Sequence, residues 1–203
     1  MAADPTPQKR ALRAELRERR RNLPRGERAA ATEGITRRLT ELTASLEARS
    51  VSCYLSAVDE PDTRPFVNGA RADGVRVLFP ITRADGLLDW TTATDEEEER
   101  VGLFGMPEPV GELLGPIAIN DVDLILVPAA AVDATGMRLG WGRGYYDKTL
   151  GSMERCPPVY AVVFDSELVD EVPRERHDQA VDGVVTPTRT VRFPTRSARH
   201  RRI

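Results

Sequence analysis

The chain has 203 residues, with 29 lysines and arginines against 32 aspartates and glutamates, a formal net charge of −3 and a pI near 5.6. Hydrophobic residues at 40% with 30% charged ones are enough for a buried core, which excludes a disordered chain and a membrane-embedded one. Two cysteines and two histidines exclude a disulfide framework, a thiolate metal cluster and most Ser–His or multi-histidine chemistry. No stretch reaches the roughly 18–20 consecutive apolar residues of a membrane span. The opening MAADPTPQKR lacks the basic-then-apolar plan of a secretory signal. A cytoplasmic protein without a membrane partner is expected.

In chain order, Thr6-Pro7 reads as an N-cap followed by a proline at the first helical position. Leu12, Leu16 and Leu23 follow at helical spacing, and Asn22-Leu23-Pro24 ends that helix. Ile35, Leu39, Leu42 and Leu46 mark a second amphipathic helix. Strand-like runs then alternate with helical or polar stretches: Val51–Leu55, Val75–Ile81, Leu87–Trp90, Val122–Val127, Val159–Phe164 and Thr190–Phe193. Intervening helices are predicted over Asp62–Gly74, after Gly144 and around Glu167–Val172. Uninterrupted apolar strands such as DLILVP and PVYAVVFD suit a sheet covered on both faces. The alternation predicts a three-layer α/β/α fold, Rossmann-like, with a largely parallel, mixed sheet. A single α/β domain over residues 1–193 is expected, followed by a basic tail at 194–203 without apolar periodicity and expected to be disordered. The acidic run Asp95–Glu99 reads as a solvated loop or helix end.

Charge is uneven: residues 1–50 carry +5, residues 51–188 carry −14 and residues 189–203 carry +6. Basic ends on an acidic body suit nucleic acid, an anionic ligand, or attraction to the body itself. The basic residues are 27 arginines and two lysines, Lys9 and Lys148, a bias that genomic base composition explains. Cys53 in VSCYL reads as an inert core thiol, and Trp90 as core or pocket wall.

The densest chemical signal is GMRLGWGRGYYDKTL at 136–150, shortly after the DLILVP strand. Alternating glycines let the backbone approach a ligand and turn N–H groups toward an anion. A helix beginning at Tyr145-Tyr146-Asp147 adds a favourable dipole, and Arg138 and Arg143 add planar donors for phosphate oxygens. The pattern is neither a Walker A loop nor the dinucleotide fingerprint. A plain glycine-rich surface turn is the alternative for the glycines alone, but arginines, tyrosines and an aspartate together after a buried strand favour an anion site.

These segments give the chain a close likeness to a known family. With KRALR at 9–13, YLSAVDEPDT at 54–63, GMPEP at 105–109, DLILVPAAAVDATGMRLGWGRGYYD at 123–147 and VDGVVTP at 181–187, the sequence resembles the 5-formyltetrahydrofolate cyclo-ligases over roughly residues 8 to 193. The resemblance implies an ATP- and Mg²⁺-dependent ring closure of 5-formyltetrahydrofolate to 5,10-methenyltetrahydrofolate, with ADP and phosphate released. In that implied mechanism the formyl oxygen attacks the γ-phosphate, and N10 closes the ring on the resulting iminium phosphate. Phosphoryl transfer depends on positioning and charge more than on proton shuttling, which suits a histidine-poor chain.

By the same resemblance Lys9, Arg10, Ala11, Leu12 and Arg13, with Arg138, Leu139, Gly140, Trp141, Gly142, Arg143, Gly144, Tyr145 and Tyr146, bind ATP. Lys9 and Arg143 are the implied catalytic residues. Leu55, Glu60 and Met106, with Trp141, Gly142, Arg143, Gly144 and Tyr145, are implied to contact folate, Pro107 adding to an apolar wall beside Met106. Asp147 and Asp182 are the implied Mg²⁺ ligands. Read without the family, Lys9 and Arg13 form a solvated helix face, Glu60 a loop residue, Asp147 a helix end and Asp182 a turn residue. Trp141 stands where relatives often carry Arg or Tyr, and Arg143 where others have Lys or Gly; an indole there can stack on an aromatic ligand. The expected partners are ATP and a folate, with no nucleic acid, and the chain is expected to be monomeric. Two other readings are an ATP-dependent enzyme acting on another amide-like substrate and a nucleic-acid module using the basic ends.

Overall fold

The computed structural model describes residues 6–92 and 99–194. Most of the acidic run at 95–99 and all but the first residue of the basic tail therefore lie outside the described residues. Among the described residues no helix is long and apolar enough to cross a membrane.

Helix α1 spans Thr6–Arg21, so Thr6 lies within the helix rather than capping it. Helix α2 spans Arg25–Ser45 and buries Ile35, Leu39 and Leu42. Strand β1 (Ser50–Ser52) leads into α3 (Arg64–Ala72), and β2 (Arg76–Thr82) turns back into β3 (Leu88–Thr91). Next come β4 (Glu99–Val101), β5 (Pro107–Pro109), β6 (Leu113–Leu114) and β7 (Leu124–Pro128). The chain continues through β8 (Ala131–Asp133), β9 (Arg138–Leu139), α4 (Tyr145–Ser152), β10 (Val159–Val162), β11 (Leu168–Val169), β12 (Gly183–Val185) and β13 (Thr190–Arg192).

Eight strands form the main sheet in the order β13-β12-β10-β7-β1-β2-β3-β6. The central five, β12 to β2, are parallel, while β13, β3 and β6 add antiparallel edges. Numbered among themselves, the parallel strands run 2-1-3-4-5. That doubly wound order reverses direction between β1 and β7 and opens a crevice at their carboxyl ends.

Side-chain alternation along the strands divides the core into two layers. Val51, Cys53, Leu124 and Leu126 face α2 and α3, meeting Ile35, Leu39 and Phe66. Ile125, Val127, Ala161 and Val163 face the other way, against Leu150 of α4, Met153 and Trp90. Leu124 to Val127 have no exposed surface at all, as a run apolar on both faces requires. The α/β/α layering predicted from the sequence is therefore present, and Trp90 is core.

A third cluster joins Leu16 of α1 to Ala131, Met137, Leu139 and Val172. It packs α1 against a small sheet, β11-β8-β9, at the exit of β7. These strands are two or three residues long, too short to leave a period in the sequence. The helix predicted around Glu167–Val172 is not there. Asp165–Glu167 makes one 3-10 turn, and Leu168 and Val169 pair with Val132 and Asp133. The Glu167 carboxylate accepts the Phe164 N–H at 2.8 Å, and six residues are too few for a helix to outcompete an available ladder.

Candidate active site

Two adjoining cavities occupy the crevice that the strand order opens. The larger, about 560 Å³, lies over the ends of β1, β2 and β7 and is lined by Tyr54, Leu55, Glu60, Pro80, Thr82 and Pro128 among others. The smaller, about 370 Å³, is lined by Lys9, Arg13, Lys148, Glu175, His177 and Asp178 together with the glycine-rich loop. Arg138, Gly140, Arg143, Gly144 and Asp147 belong to both walls. The loop is thus the partition between them.

Its backbone explains its glycines. Gly142 and Gly144 have φ of 93° and 72°, the left-handed region that side chains disfavour. A Cβ on Gly142 would also come within 3.3 Å of the Arg13 guanidinium carbon. Arg13 fastens the loop from α1, its Nε donating to the Gly140 carbonyl at 2.7 Å. Burial lowers the Arg13 pKa, opposed by the charges of Asp178 and Glu175. Gly144 is the residue on which α4 starts, as the sequence predicted, and Tyr145 Oη donates to the Arg83 carbonyl at 2.8 Å, tying that helix to the β2–β3 turn.

The turn that presents the loop is held by Asp133, which is fully buried. Its Oδ1 accepts from Thr135 N (2.8 Å), Thr135 Oγ1 (2.6 Å) and Met137 N (3.1 Å), and its Oδ2 from Val172 N and Arg174 Nη2, both at 3.1 Å. Burial pushes its pKa up, but the Thr135 hydroxyl and the three N–H groups outweigh it and hold the carboxyl below its ordinary value.

Polar atoms without hydrogen-bond partners among the described residues gather around the larger cavity. Arg20 Nη1, Tyr54 Oη, Arg138 Nε and Tyr146 Oη are buried without a hydrogen bond among the described residues, and all four residues line it, as does Trp141, whose indole meets the Glu60 carboxylate. Each such group costs about 1–3 kcal/mol, so a cluster of them marks a wall built for something other than stability. Glu60 is 7% exposed and accepts the Ala57 N–H at 3.0 Å. Burial raises its pKa, against the Ala57 N–H and the charge of Arg20. Burial likewise raises Tyr54 and Tyr146, which remain phenols. Trp141 lies under two cations, with Arg20 4.9 Å and Arg17 5.3 Å from its ring centroid.

In the smaller cavity Lys9 is 5% exposed, and its ammonium donates to Glu175 Oε2 and Asp178 Oδ2, each at 2.6 Å. Arg138 Nη2 donates to Asp147 Oδ1 at 2.8 Å and the Gln179 N–H donates to the same oxygen at 3.1 Å.

The structure therefore brings together much of what the sequence singled out. Leu55, Glu60, Met106, Trp141, Tyr145 and Tyr146 line the larger cavity, Lys9, Arg13, Leu139 and Gly142 the smaller, and Arg138, Gly140, Arg143, Gly144 and Asp147 both. Three residues of the N-terminal segment are not brought in: Arg10 and Ala11 are exposed, and Leu12 packs into the cluster beneath α1. Asp182 lines neither cavity. Its Oδ2 accepts the Val159 N–H at 2.9 Å, at the amino end of β10 and away from the carboxyl ends that form the crevice. Arg20, Tyr54, Glu108, Lys148, Glu175 and Asp178 line the cavities without having been singled out. Lys148, one of two lysines and adjacent to the loop, and Tyr54 and Glu108, inside YLSAVDEPDT and GMPEP, carried a local signal; Arg20, Glu175 and Asp178 are placed by long-range folding.

A sequence model of the 5-formyltetrahydrofolate cyclo-ligase family matches residues 5–187. A protein of Mycolicibacterium smegmatis named 5-formyltetrahydrofolate cyclo-ligase is 37% identical over 191 residues, covering 89% of this chain and 94% of its own. One of the same name from Escherichia coli K12 is 29% identical over 179 residues, covering 86% and 97%. The NMR structure of Aquifex aeolicus 5,10-methenyltetrahydrofolate synthetase superposes with a TM-score of 0.77 at 29% identity, covering 95% of this chain and 96% of that one. Matched over nearly its whole length in sequence and in fold, the chain belongs to the 5-formyltetrahydrofolate cyclo-ligase family and is an enzyme of the ligase type.

Proposed function

We propose that the protein closes 5-formyltetrahydrofolate to 5,10-methenyltetrahydrofolate at the expense of ATP, with the folate in the larger cavity and the phosphate chain in the smaller. The observation that carries this reading is the shared wall: one glycine-rich segment borders both cavities, so a group held in each would meet across it.

The chemistry needs such a meeting. An amide-like formyl oxygen is a poor leaving group, and transfer of the γ-phosphoryl group to it forms a C–O–P linkage with release of ADP. N10 then forms the new C–N bond, its proton is lost, and the C–O bond breaks to release phosphate. Lys9, Arg13, Arg143 and Lys148 supply positive charge around the smaller cavity, which holds and stabilises a transferring phosphoryl group. Loop N–H groups and the amino end of α4 add donors. In the larger cavity the Glu60 carboxylate accepts from the amino and ring N–H groups of a pterin, with Leu55 and Met106 as apolar wall.

The donor set of the smaller cavity fits Mg²⁺, which takes few carboxylates and fills its octahedron with water and phosphate oxygens. Asp147 would hold it, its Oδ1 also accepting from Arg138 and Gln179; Asp182 is not beside it. The ion would screen the charge of the phosphate oxygens.

The purified protein with 5-formyltetrahydrofolate and MgATP is expected to accumulate the methenyl chromophore, and to accumulate none when ATP is omitted. Absence of any absorbance change with all components present would sink the reading.

A further inference from the structure

Helix α1 serves both cavities with one stripe of side chains. Lys9, Arg13, Leu16 and Arg20 follow one another at spacings of four, three and four, which places them on one face. The first two reach the smaller cavity, whereas Arg20, with Arg17 beside it, reaches the larger. Arg20 is held from several sides. Its Nε and Nη2 donate to the two oxygens of Glu167 at 2.5 and 2.8 Å, and Nη2 also donates to the Ala129 carbonyl at 2.7 Å. Glu167 is fixed in turn by the Phe164 N–H. A buried ion pair of this kind stabilises a fold little better than apolar side chains of the same volume. What this one does fix is a plane: the guanidinium lies 4.9 Å from the ring centroid of Trp141 and 5.6 Å from that of Phe164. Trp141 stands in a turn of short glycine-flanked backbone, and a cation over its face gives the indole a defined seat. Arg17 lies 5.3 Å from the same ring but is exposed, and so constrains it less. The indole meets the Glu60 carboxylate, and the charge of Arg20 favours the ionised form of that carboxylate.

We infer that Arg20 is the positioning residue for Glu60: held by Glu167, it sets the plane of Trp141, whose indole N–H orients the carboxylate toward the pterin. The inference rests on the larger cavity being the folate site with Glu60 as its acceptor. Two effects converge on that acceptor. The indole N–H takes up one lone pair and stops the carboxylate from turning, and the remaining lone pairs are left for the amino and ring N–H groups of the ligand. The cation supports a negative charge that burial disfavours. The other groups facing Glu60 do not replace it. Tyr54 after β1 and Tyr146 of α4 are neutral phenols, the Ala57 N–H holds one oxygen from within the same loop, and the charge of Glu167 opposes that of Glu60.

The paired replacement Arg20→Met with Glu167→Leu removes both buried charges at nearly constant volume, and Trp141→Phe keeps a ring for Arg20 while removing the N–H. Each change is made in the wild-type and in the Glu60→Gln background, and KM and kcat for 5-formyltetrahydrofolate and for ATP are measured together with direct folate binding. The paired replacement is expected to raise the KM for the folate about tenfold and that for ATP less than about twofold, as loss of an oriented, charged acceptor requires. In the Glu60→Gln background it is expected to cost less than about twofold more, since residues acting as a unit are not additive. Trp141→Phe alters a partly exposed side chain, so its cycle with Glu60→Gln, expected to be non-additive in the same way, does not depend on the buried pair. On acidification the paired replacement should lose folate binding at a higher pH than wild type, because the Glu60 carboxyl, already raised by burial, loses the cation that opposes the rise; the simultaneous loss of the Glu167 charge acts the other way and is the smaller effect. Equal fold-losses in the two backgrounds, or a KM for ATP raised as far as that for the folate, would overturn the inference and leave the folate reading standing. A Glu60→Gln protein that binds folate normally would overturn the inference together with the reading beneath it.

Discussion

The guanidinium of Arg20 lies 4.9 Å from the centroid of the Trp141 ring while its Nε and Nη2 hold the two oxygens of Glu167 at 2.5 and 2.8 Å. Both charged side chains are 2% exposed, and Nη2 also reaches the Ala129 carbonyl at 2.7 Å. The pair thus locks α1, the exit of β7 and the turn before β11 around the loop residue that borders the larger cavity.

Breaking this pair from one side leaves a buried charge without its counterion. Glu167→Ala is expected to lower the unfolding free energy by about 3–5 kcal/mol. Removing both charges with apolar residues of similar volume, Arg20→Met with Glu167→Leu, is expected to cost much less, since the desolvation penalty disappears along with the attraction. Urea unfolding of the three proteins checks this; equal losses in the single and double variants would mean that packing, not charge, is what matters there.

Asp133 gives a pH-dependent counterpart. Its folded pKa is held below the unfolded value, so its carboxylate stabilises the fold at every pH above the unfolded value of about 3.9 and ceases to do so as pH falls through the folded one. Asp133→Asn puts an amide N–H₂ among donors that need an acceptor, and is expected to cost about 3 kcal/mol at neutral pH. Denaturation across acidic pH should show the gap to wild type constant near neutrality and closing only below the ordinary carboxylate range. A gap that narrows between neutral pH and that range would assign the effect to another group.

Much of this arrangement was legible in the sequence, for reasons that Leu124–Val127 and Gly142–Asp147 illustrate. A strand apolar on both faces can only be the middle of a covered sheet, and glycines at alternate positions before a helix mark a turn that needs left-handed backbone, as at Gly142 and Gly144. What was not legible was set by contacts far along the chain. Lys9 meets Asp178 across 169 positions and Arg20 meets Glu167 across 147. The two-residue β11 takes its conformation from β8, not from its own residues. Arg10, Ala11 and Leu12 follow Lys9 in sequence, yet a helix turns consecutive residues to different faces, and only Lys9 and Arg13, one turn apart, reach the cavity.

The thiols separate by burial. Cys53 is fully buried and burial pushes its pKa to about 12, whereas Cys156 is exposed. The thiolate is the reactive form, so the native protein should take up one equivalent of a thiol reagent at neutral pH and two after denaturation. Mass spectrometry of the labelled peptides checks this, and rapid labelling of Cys53 in the native state would show that β1 opens on the timescale of the reaction.

Glu60 carries a cost that its proposed role accounts for. Burial raises its folded pKa above the unfolded value, so the ionised form is the less favourable one in the fold. For a raised carboxyl the sign is opposite to that of Asp133: the stability present when it is protonated is lost as pH rises from the unfolded pKa through the folded one. Glu60→Gln removes that charge while keeping an oxygen for the Ala57 N–H. The variant is expected to melt at or above the wild-type temperature at neutral pH, with the difference vanishing below the ordinary carboxylate range. The same change replaces an acceptor of two pterin N–H groups by an amide that brings its own donors, so the KM for 5-formyltetrahydrofolate should rise by about tenfold or more with the KM for ATP little changed. Thermal melts across pH and steady-state kinetics decide both halves. A variant that is destabilised at neutral pH, or that binds folate normally, would show that Glu60 serves the loop after β1 and not the ligand.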